Sequence, residues 1–319
     1  MIQPLRSERW ALRSQFFRAV RDFFHSRNYI EVETPLLCPG LIPEPFMDYF
    51  AVQRPENLKV PFSHQREFLP ASPEANLKAI LSRTGQSIFE ISHSFRAGER
   101  SALHTEEFLL LEWYMTGANL NQLMQEALLL ILHLGQTLKY EPLPAARQWS
   151  IDQLFAHFCG IDLDYRSLSA YIEKERLGSS KGRYDELFFL VFLHCIEPHL
   201  GHDTIDFIYD YPVELSALAT IEENRARRCE IYWKGIELAN GYQELLDHTE
   251  QEQRFLEADR LRQELGRPEI PRNASFESLW QSLETPVAGI AMGIERLLMI
   301  FSGETSLGTV SPFYRPDQN

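Results

Sequence analysis

Apolar residues open the chain at helical spacing. Leu12, Phe16, Val20 and Phe23 are separated by four, four and three positions, so residues 7–27 predict an amphipathic helix with its stripe toward a core. The period then changes. In YIEVETP, Ile30 and Val32 alternate with Glu31 and Glu33 until Pro35, which lacks an N–H and so marks a strand end or an edge. A Pro-rich passage runs from Pro39 to Pro61. After it, LPASPEANLKAILSR predicts a turn feeding a helix, with Ser72 as N-cap, Pro73 at the first helical position and Glu74 in the first turn. Two extended runs follow, SIFEISHSFR ending at Arg96 and EFLLLEWYM beginning at Glu107. With the polar loop AGERSALHTE between them they predict a long antiparallel hairpin. Period-two geometry puts Phe108, Leu110, Glu112 and Tyr114 on one face of its second strand.

Residues 120–139 are Leu-rich at helical spacing, and Ser150 with Gln153 forms a capping-box signature for a further helix. From there to Arg228 the pattern is uninformative. CEIYWKGIELA is extended and reaches Asn240 and Gly241, which read as a turn before YQELL resumes. Thr249 and Glu252 read as a second capping box, opening an exposed helix through Leu265. A small-residue strand, PVAGIAMG, then runs into the helix IERLLMIF. Sequential hairpins mixed with helices favour an antiparallel α+β fold over a βαβ repeat. The absence of repeats and Gly/Ser linkers predicts one catalytic-sized domain over residues 1–319.

Composition narrows the function classes. A chain of 319 residues with a net charge of −14 reads as an acidic globule, which disfavours wholesale wrapping of nucleic acid but leaves room for a local basic patch. Cys38, Cys159, Cys195 and Cys229 lack zinc-ribbon or disulfide-framework spacing and are expected as reduced core thiols. The N-terminal stretch has no apolar signal core, and the longest apolar runs are too short to span a bilayer, so a cytoplasmic protein without a membrane partner is expected.

Three constellations carry candidate chemistry. Arg96 at a strand end, followed by Arg100, His104, Glu107 and Glu112, is suited to clamping a phosphate; the plainer reading pairs Arg96 with Glu99 or Glu107. Glu237, Asn240 and Glu244 offer the hard oxygen ligands that magnesium takes beside phosphates, or form a solvated acidic edge. Gly289, Ala291 and Gly293 lead into Glu295 and Arg296. Small residues there admit a planar ring, or make a tight strand-to-helix turn; the spacing is not that of a dinucleotide fingerprint.

Taken in order, these segments resemble the catalytic core of class II aminoacyl-tRNA synthetases. YIEVETP resembles motif 1, FRAGERSALHTEEFLLLEWY motif 2 and GIAMGIERLLM motif 3, while ASPEANLK, PVELSALA, GIELANGYQELLD and EFLLLEWY are of lysine type. Motif 1 falls within the first 35 residues, leaving no room for the N-terminal anticodon-reading OB domain of lysyl-tRNA synthetases. The chain therefore resembles the elongation factor P lysine ligase family. The resemblance implies an α+β fold with an antiparallel sheet flanked by helices. It also implies activation of (R)-β-lysine, or lysine less well, with ATP and Mg2+, and transfer of the acyl group to a lysine side chain of elongation factor P.

Carried over by motif position, Arg96, Arg296 and Glu237 would be catalytic, with Arg96 on the α-phosphate and Arg296 on the terminal phosphates. Gly98, Glu99, Thr105, Leu238, Asn240 and Gly293 would join them around ATP, and Glu237 and Asn240 would organise the metal. Ser72, Pro73, Glu74, Glu112, Tyr114, Glu244 and Ala291 would form the amino-acid pocket. Ala291 stands where ordinary lysyl-tRNA synthetases have glycine, which favours β-lysine. The resemblance further implies a homodimer through motif 1, and loss of tRNA as a partner. Motif 2 departs from the family at Gly98, Thr105 and Glu106, where an acid and Asn-Pro are usual. The alternatives are accordingly a truncated synthetase-like enzyme charging another acceptor, and a catalytically silent regulatory paralogue.

Overall fold

The first apolar stripe becomes α1 (Ser7–His25), which buries Phe16, Ala19, Val20, Phe23 and Phe24. The structure is a computed structural model that describes residues 7–53, 66–272 and 285–312, so part of the Pro-rich passage lies outside the described residues. After α1 comes β1 (Ile30–Glu31), and then the small hairpin of β2 (Ala51–Gln53) and β3 (Arg66–Phe68). Next is α2 (Glu74–Thr84), which starts one residue later than Ser72 as N-cap would give: Pro73 is the boundary residue, while Ser72 Oγ still accepts from the Glu74 N–H at 3.1 Å.

The long hairpin forms as expected from β4 (Ile88–Phe95) and β5 (Glu107–Thr116). Then follow α3 (Leu120–Leu138), β6 (Ala146–Ser150), α4 (Ile151–Phe158) with the Ser150/Gln153 capping box, α5 (Tyr165–Glu175) and α6 (Tyr184–Val191). The remainder is β7 (Ile205–Tyr211), β8 (Ile221–Glu222), β9 (Arg225–Trp233), β10 (Ile236–Gln243), α7 (His248–Glu264), β11 (Val287–Gly293) and α8 (Ile294–Phe301).

Two local expectations are corrected. The turn between β9 and β10 is Lys234 and Gly235, both at positive φ (56° and 72°), a two-residue connection whose twist matches the flanking strands. Asn240 and Gly241 lie inside β10. Gly241 is needed there for close packing, since a Cβ would fall 2.8 Å from Cβ of Ile290 on the next strand. The cap of α7 is Asp247, whose side chain accepts from Glu250 N, and not Thr249. The Asp247 carboxylate reaches the orphan Glu250 N–H at 3.0 Å, so the helix starts at His248, one residue before Thr249. That helix is also not wholly exposed, since it buries Gln251, Phe255 and Arg262.

The main sheet runs β1-β4-β5-β11-β10-β9-β7-β6, with β8 on β9; β1/β4 and β6/β7 are parallel and every other pair is antiparallel. This is the α+β sheet flanked by helices that the hairpins predicted. Helices α1, α3 and α8 cover one face over the largest apolar core, which includes Phe16, Leu123, Ile231 and Leu298. Strand alternation sends Phe207 and Ile231 to that core but Ile208 and Tyr232 to the other face, where α4–α6 close a second core. A third cluster holds α2 and Phe255 of α7 against Ile88, Tyr114 and Val287. The second face is thus covered at both ends and open in its middle. All four cysteines are free; Cys38 and Cys229 are buried as expected, but Cys159 and Cys195 are only half-buried.

Candidate active site

On the open face, strand register sets side chains in three rows across β5, β11, β10 and β9. One row is Tyr114, Gly289, Tyr242 and Arg228; the next is Glu112, Ala291, Asn240 and Glu230; the third is made of two separate pairs, Leu110 with Gly293 and Glu237 with Tyr232. Glu237 and Asn240 are three residues apart and would point to opposite faces of a regular strand. A bulge between Glu237 and Ala239 inserts one residue, which turns Glu237 to the same side as Asn240, Tyr242 and Glu244. Leu238 keeps its side chain in the core.

These rows floor a cavity of about 570 Å³, a size suited to a small-molecule ligand. Its walls include Ser72, Glu74, Arg96, Glu99, Thr105, Glu112, Tyr114, Glu237, Leu238, Asn240, Glu244, Ala291, Gly293 and Arg296. Two of the sequence candidates, Pro73 and Gly98, do not line it. Pro73 stands at the start of α2. Gly98 shapes the loop: its φ of 81° is left-handed, and its N–H donates to Glu106 Oε1 at 2.9 Å.

At one end of the cavity three carboxylates converge. Glu112 is 2% exposed and accepts at 2.7 Å from the Tyr114 hydroxyl and at 2.7 Å from Ser72 Oγ. Burial, reinforced by Glu74, pushes its carboxyl up to about 8. Burial likewise pushes Glu244 up to about 7, against the pull of Lys78. Glycine at 289 is sterically required: a Cβ there would lie 2.3 Å from the Tyr114 ring and 2.7 Å from Glu244 Oε1. The ring that Gly289 admits therefore belongs to the protein itself. Gly289→Ala is expected to displace Tyr114 and raise the KM for the ligand at this end about 10- to 100-fold, the cost of overpacking a tight site, with a smaller change in kcat.

At the other end stand the cations. Arg296 Nε donates to the Leu103 carbonyl at 3.2 Å and Nη1 to the Glu237 carbonyl at 2.9 Å, so two backbone oxygens hold a guanidinium that is mostly buried. Desolvation by burial lowers its pKa, which is the signature of a cation that lacks a full counter-charge. Arg96 lies 5.2 Å from the Phe108 ring centroid and 3.9 Å from Glu99, and its buried Nε has no hydrogen-bond partner among the described residues. Arg296 is thus oriented by neutral carbonyls and Arg96 by weak contacts, and neither has a close carboxylate partner among the described residues, so both are open to an anion. Glu107 is not part of this end; it faces solvent and pairs with His93 at 3.1 Å.

Loop 97–106 is held by Glu106, which also accepts from Arg100 Nε at 2.8 Å; the Gly98 N–H keeps its carboxyl below the usual carboxylate range. Thr105 Oγ1 donates to the Glu107 carbonyl at 2.6 Å, so only its lone pairs face a ligand. Glu295, which follows the glycine strand, anchors it by accepting from Arg13 at 3.0 Å and from the Leu109 N–H at 3.2 Å.

Among the described residues no three His, Cys, Asp or Glu side chains converge as a cation cage. Glu237 and Asn240 still fit a divalent cation that brings phosphate and water ligands of its own. The Glu237 carboxyl, raised to about 7 by burial and by Glu230, is a buried charge that a divalent cation would compensate. Asn240 Oδ1 accepts from Arg228 Nε at 3.2 Å, a long bond that can be exchanged.

Four polar residues at the cavity wall or directly behind it escaped sequence reasoning. Lys78 was legible in principle, being four residues after Glu74 on one helix. Arg228 and Glu230 pair at 2.6 Å, and they reach the site only through the register of β9 against β10. Glu44 comes from an irregular segment whose carbonyl, with that of Met47, is tied down by Arg262 of α7 at 2.6 and 2.8 Å.

Comparison with known proteins bears on this geometry. Residues 2–317 match the family of tRNA synthetases class II (D, K and N). The chain is 34% identical over 310 residues to an elongation factor P–(R)-β-lysine ligase of Histophilus somni (strain 2336), covering 94% of this chain and 93% of that one. It is 34% identical over 301 residues to the protein of the same name in Baumannia cicadellinicola subsp. Homalodisca coagulata, covering 91% and 89%. To that of Proteus mirabilis (strain HI4320) it is 31% identical over 308 residues, covering 92% and 91%.

Proposed function

Since the chain belongs to the class II tRNA synthetase family, within its elongation factor P–(R)-β-lysine ligase branch, we propose that it joins (R)-β-lysine, or lysine, to a lysine side chain of elongation factor P at the expense of ATP. The observation that carries this reading is the division of one cavity into a carboxylate end and a guanidinium end. A diamino acid seats its ammonium groups among Glu74, Glu112 and Glu244, since buried carboxylates of this kind need cationic partners. Its carboxylate then faces the ATP α-phosphate held by Arg96, while Arg296 takes the terminal phosphates. Gly293 lines the cavity with no side chain of its own, the nearest atom to a Cβ there being Arg296 Cδ at 3.4 Å, and so suits the nucleotide together with the backbone of Leu238.

The carboxylate attacks the α-phosphorus, pyrophosphate leaves, and the guanidiniums stabilise the charge that grows on the phosphate oxygens. Glu237 and Asn240 would hold magnesium beside the phosphates, and the ion would supply further neutralisation there. The deprotonated acceptor amine then attacks the acyl carbonyl and AMP departs. No covalent enzyme intermediate is required, so the protein's part is orientation and exclusion of water.

The chain acts as a homodimer through the motif 1 region. Ile30, Leu36 and Leu37 are 37%, 39% and 48% exposed around β1, an apolar surface that a second copy would cover. Sedimentation at one-chain mass would remove that part of the reading. Elongation factor P replaces tRNA as acceptor, in keeping with the net charge of −14, and the protein works in the cytoplasm; no helix among the described residues is long and apolar enough to cross a membrane.

The test is amino-acid-dependent ATP–pyrophosphate exchange with (R)-β-lysine, L-lysine and no amino acid, followed by transfer of labelled amino acid to purified elongation factor P. Exchange with a diamino acid and stable labelling of elongation factor P are expected. Exchange without labelling would point to another acceptor. No exchange in folded protein would place the chain among silent paralogues.

A pH dependence follows from the raised carboxyls. Glu112 at about 8 and Glu244 at about 7 hold protons near neutrality in the free pocket, and ammonium groups lower both values on binding. Binding therefore releases protons, and affinity rises from pH 6 to pH 8 until the substrate's own ammonium groups deprotonate. Calorimetry in two buffers of different ionisation heat should read that release at pH 7.

A further inference from the structure

Lys78 takes no part in the scheme above. It lies on the second turn of α2, is 1% exposed and does not line the cavity. Its Nζ sits behind two pocket carboxylates, 2.6 Å from Glu74 Oε1 and 2.6 Å from Glu244 Oε2. A fully buried ammonium is costly to desolvate, and only a site that holds excess negative charge around it keeps it ionised. The charged groups facing it come from three elements: Glu74 on its own helix, Glu112 on β5, and Glu244 just after β10.

We infer that Lys78 is a positioning residue that fixes the formal charge of the amino-acid pocket at two negatives, and so selects substrates that carry two ammonium groups. The inference deepens the proposed function and rests on its reading that a diamino acid is bound. Three carboxylates and one internal ammonium leave two negative charges, which a substrate with two ammonium groups neutralises. A monoamino acid leaves one buried carboxylate without a cation, which must then be protonated or stay unpaired. The geometry supports the same role. Lys78 holds Glu244 Oε2, and the other oxygen, Oε1, faces the spot where a Cβ on Gly289 would stand, which is the cavity floor. Glu112 takes both of its hydrogen bonds from neutral hydroxyls, so it is Lys78 that brings positive charge to the cluster and favours its ionised form. Its charge acts to lower the carboxyls of both Glu112 and Glu244.

The experiment is amino-acid-dependent pyrophosphate exchange as a function of pH for the wild type, Lys78→Met and the double variant Lys78→Met with Glu74→Gln, with thermal unfolding to establish folding. Without Lys78 the carboxyls titrate at higher pH. For Lys78→Met the KM for the diamino acid is therefore expected to rise about 10- to 100-fold at pH 7, and the pH at which KM levels off to move up by about one unit or more. At saturating substrate above that pH, kcat should stay within about threefold. The double variant removes one charge of each sign and restores the two negatives; its levelling pH should return to within about half a unit of the wild type, although its KM is higher for loss of the Glu74 contact.

A single variant with the wild-type pH profile, or a double variant shifted as far as the single one, overturns the inference. Should Lys78→Met not fold, the double variant, which leaves the net charge of the cluster unchanged, decides by the position of its profile alone. Wild-type protein inert with every diamino acid would instead overturn the proposed function, so the two failures are distinguishable.

Discussion

Replacing Arg96 with alanine is expected to lower amino-acid-dependent pyrophosphate exchange by about 10³-fold, because guanidiniums that meet charge developing on a transferring phosphoryl group contribute on that scale. Arg96 is placed for this by the end of β4, where its N–H donates to the Glu106 carbonyl at 2.9 Å and fixes the backbone of the strand end. Its guanidinium is held only by the Phe108 ring and a long approach to Glu99, and its Nε is left without a partner. A side chain serving stability alone would be expected to use that donor. Its side chain is 31% exposed, so its loss should cost little stability and the variant should unfold within a few degrees of the wild type. Arg96→Lys keeps the charge but loses the planar fork, and should recover only part of the activity. Exchange within tenfold of wild type in folded Arg96→Ala would remove this residue from the reacting phosphate.

Glu244→Gln is expected to act on the amino acid rather than on ATP. Removing one buried carboxylate from a set that faces ammonium groups should raise the KM for the diamino acid about 10²- to 10³-fold, in line with the cost of breaking a buried ion pair. The KM for ATP should move less than threefold. Discrimination between the diamino acid and its monoamino counterpart should fall by about 10²-fold, since the cavity then presents fewer charges than two ammonium groups require. Lys78 keeps Glu74 at 2.6 Å in this variant, so the fold retains a counter-charge for its buried ammonium. An unchanged KM for the diamino acid would mean that its ammonium groups lie elsewhere.

Much of this architecture is legible in the linear pattern. The 3.6-residue stripe of α1, the alternation that puts Glu112 and Tyr114 on one face of β5, and the Ser150 capping box are each written in residues close together in sequence. Local rules went wrong where tertiary packing chose among local options. Asn-Gly is a strong turn signal, yet Lys234 and Gly235 make the turn, and Gly241 serves the approach of Ile290. Thr249 and Asp247 are both able to cap α7, and the fold uses the earlier.

The sequence by itself determined which side chains are available: two guanidiniums in separate motifs, carboxylates at Glu74, Glu112, Glu237 and Glu244, and small residues along β11. Only the tertiary structure decided which of them meet. Strand register lined Glu112, Ala291, Asn240 and Glu230 into one row from four strands, and a single bulge turned Glu237 toward Asn240. The α2 helix set Lys78 behind two carboxylates, one of them far along the chain. The reason is range. Periodicity and capping depend on neighbours within a few residues, whereas register, bulges and the charge of a buried pocket depend on contacts between strands and helices that the chain brings together only when the apolar core closes.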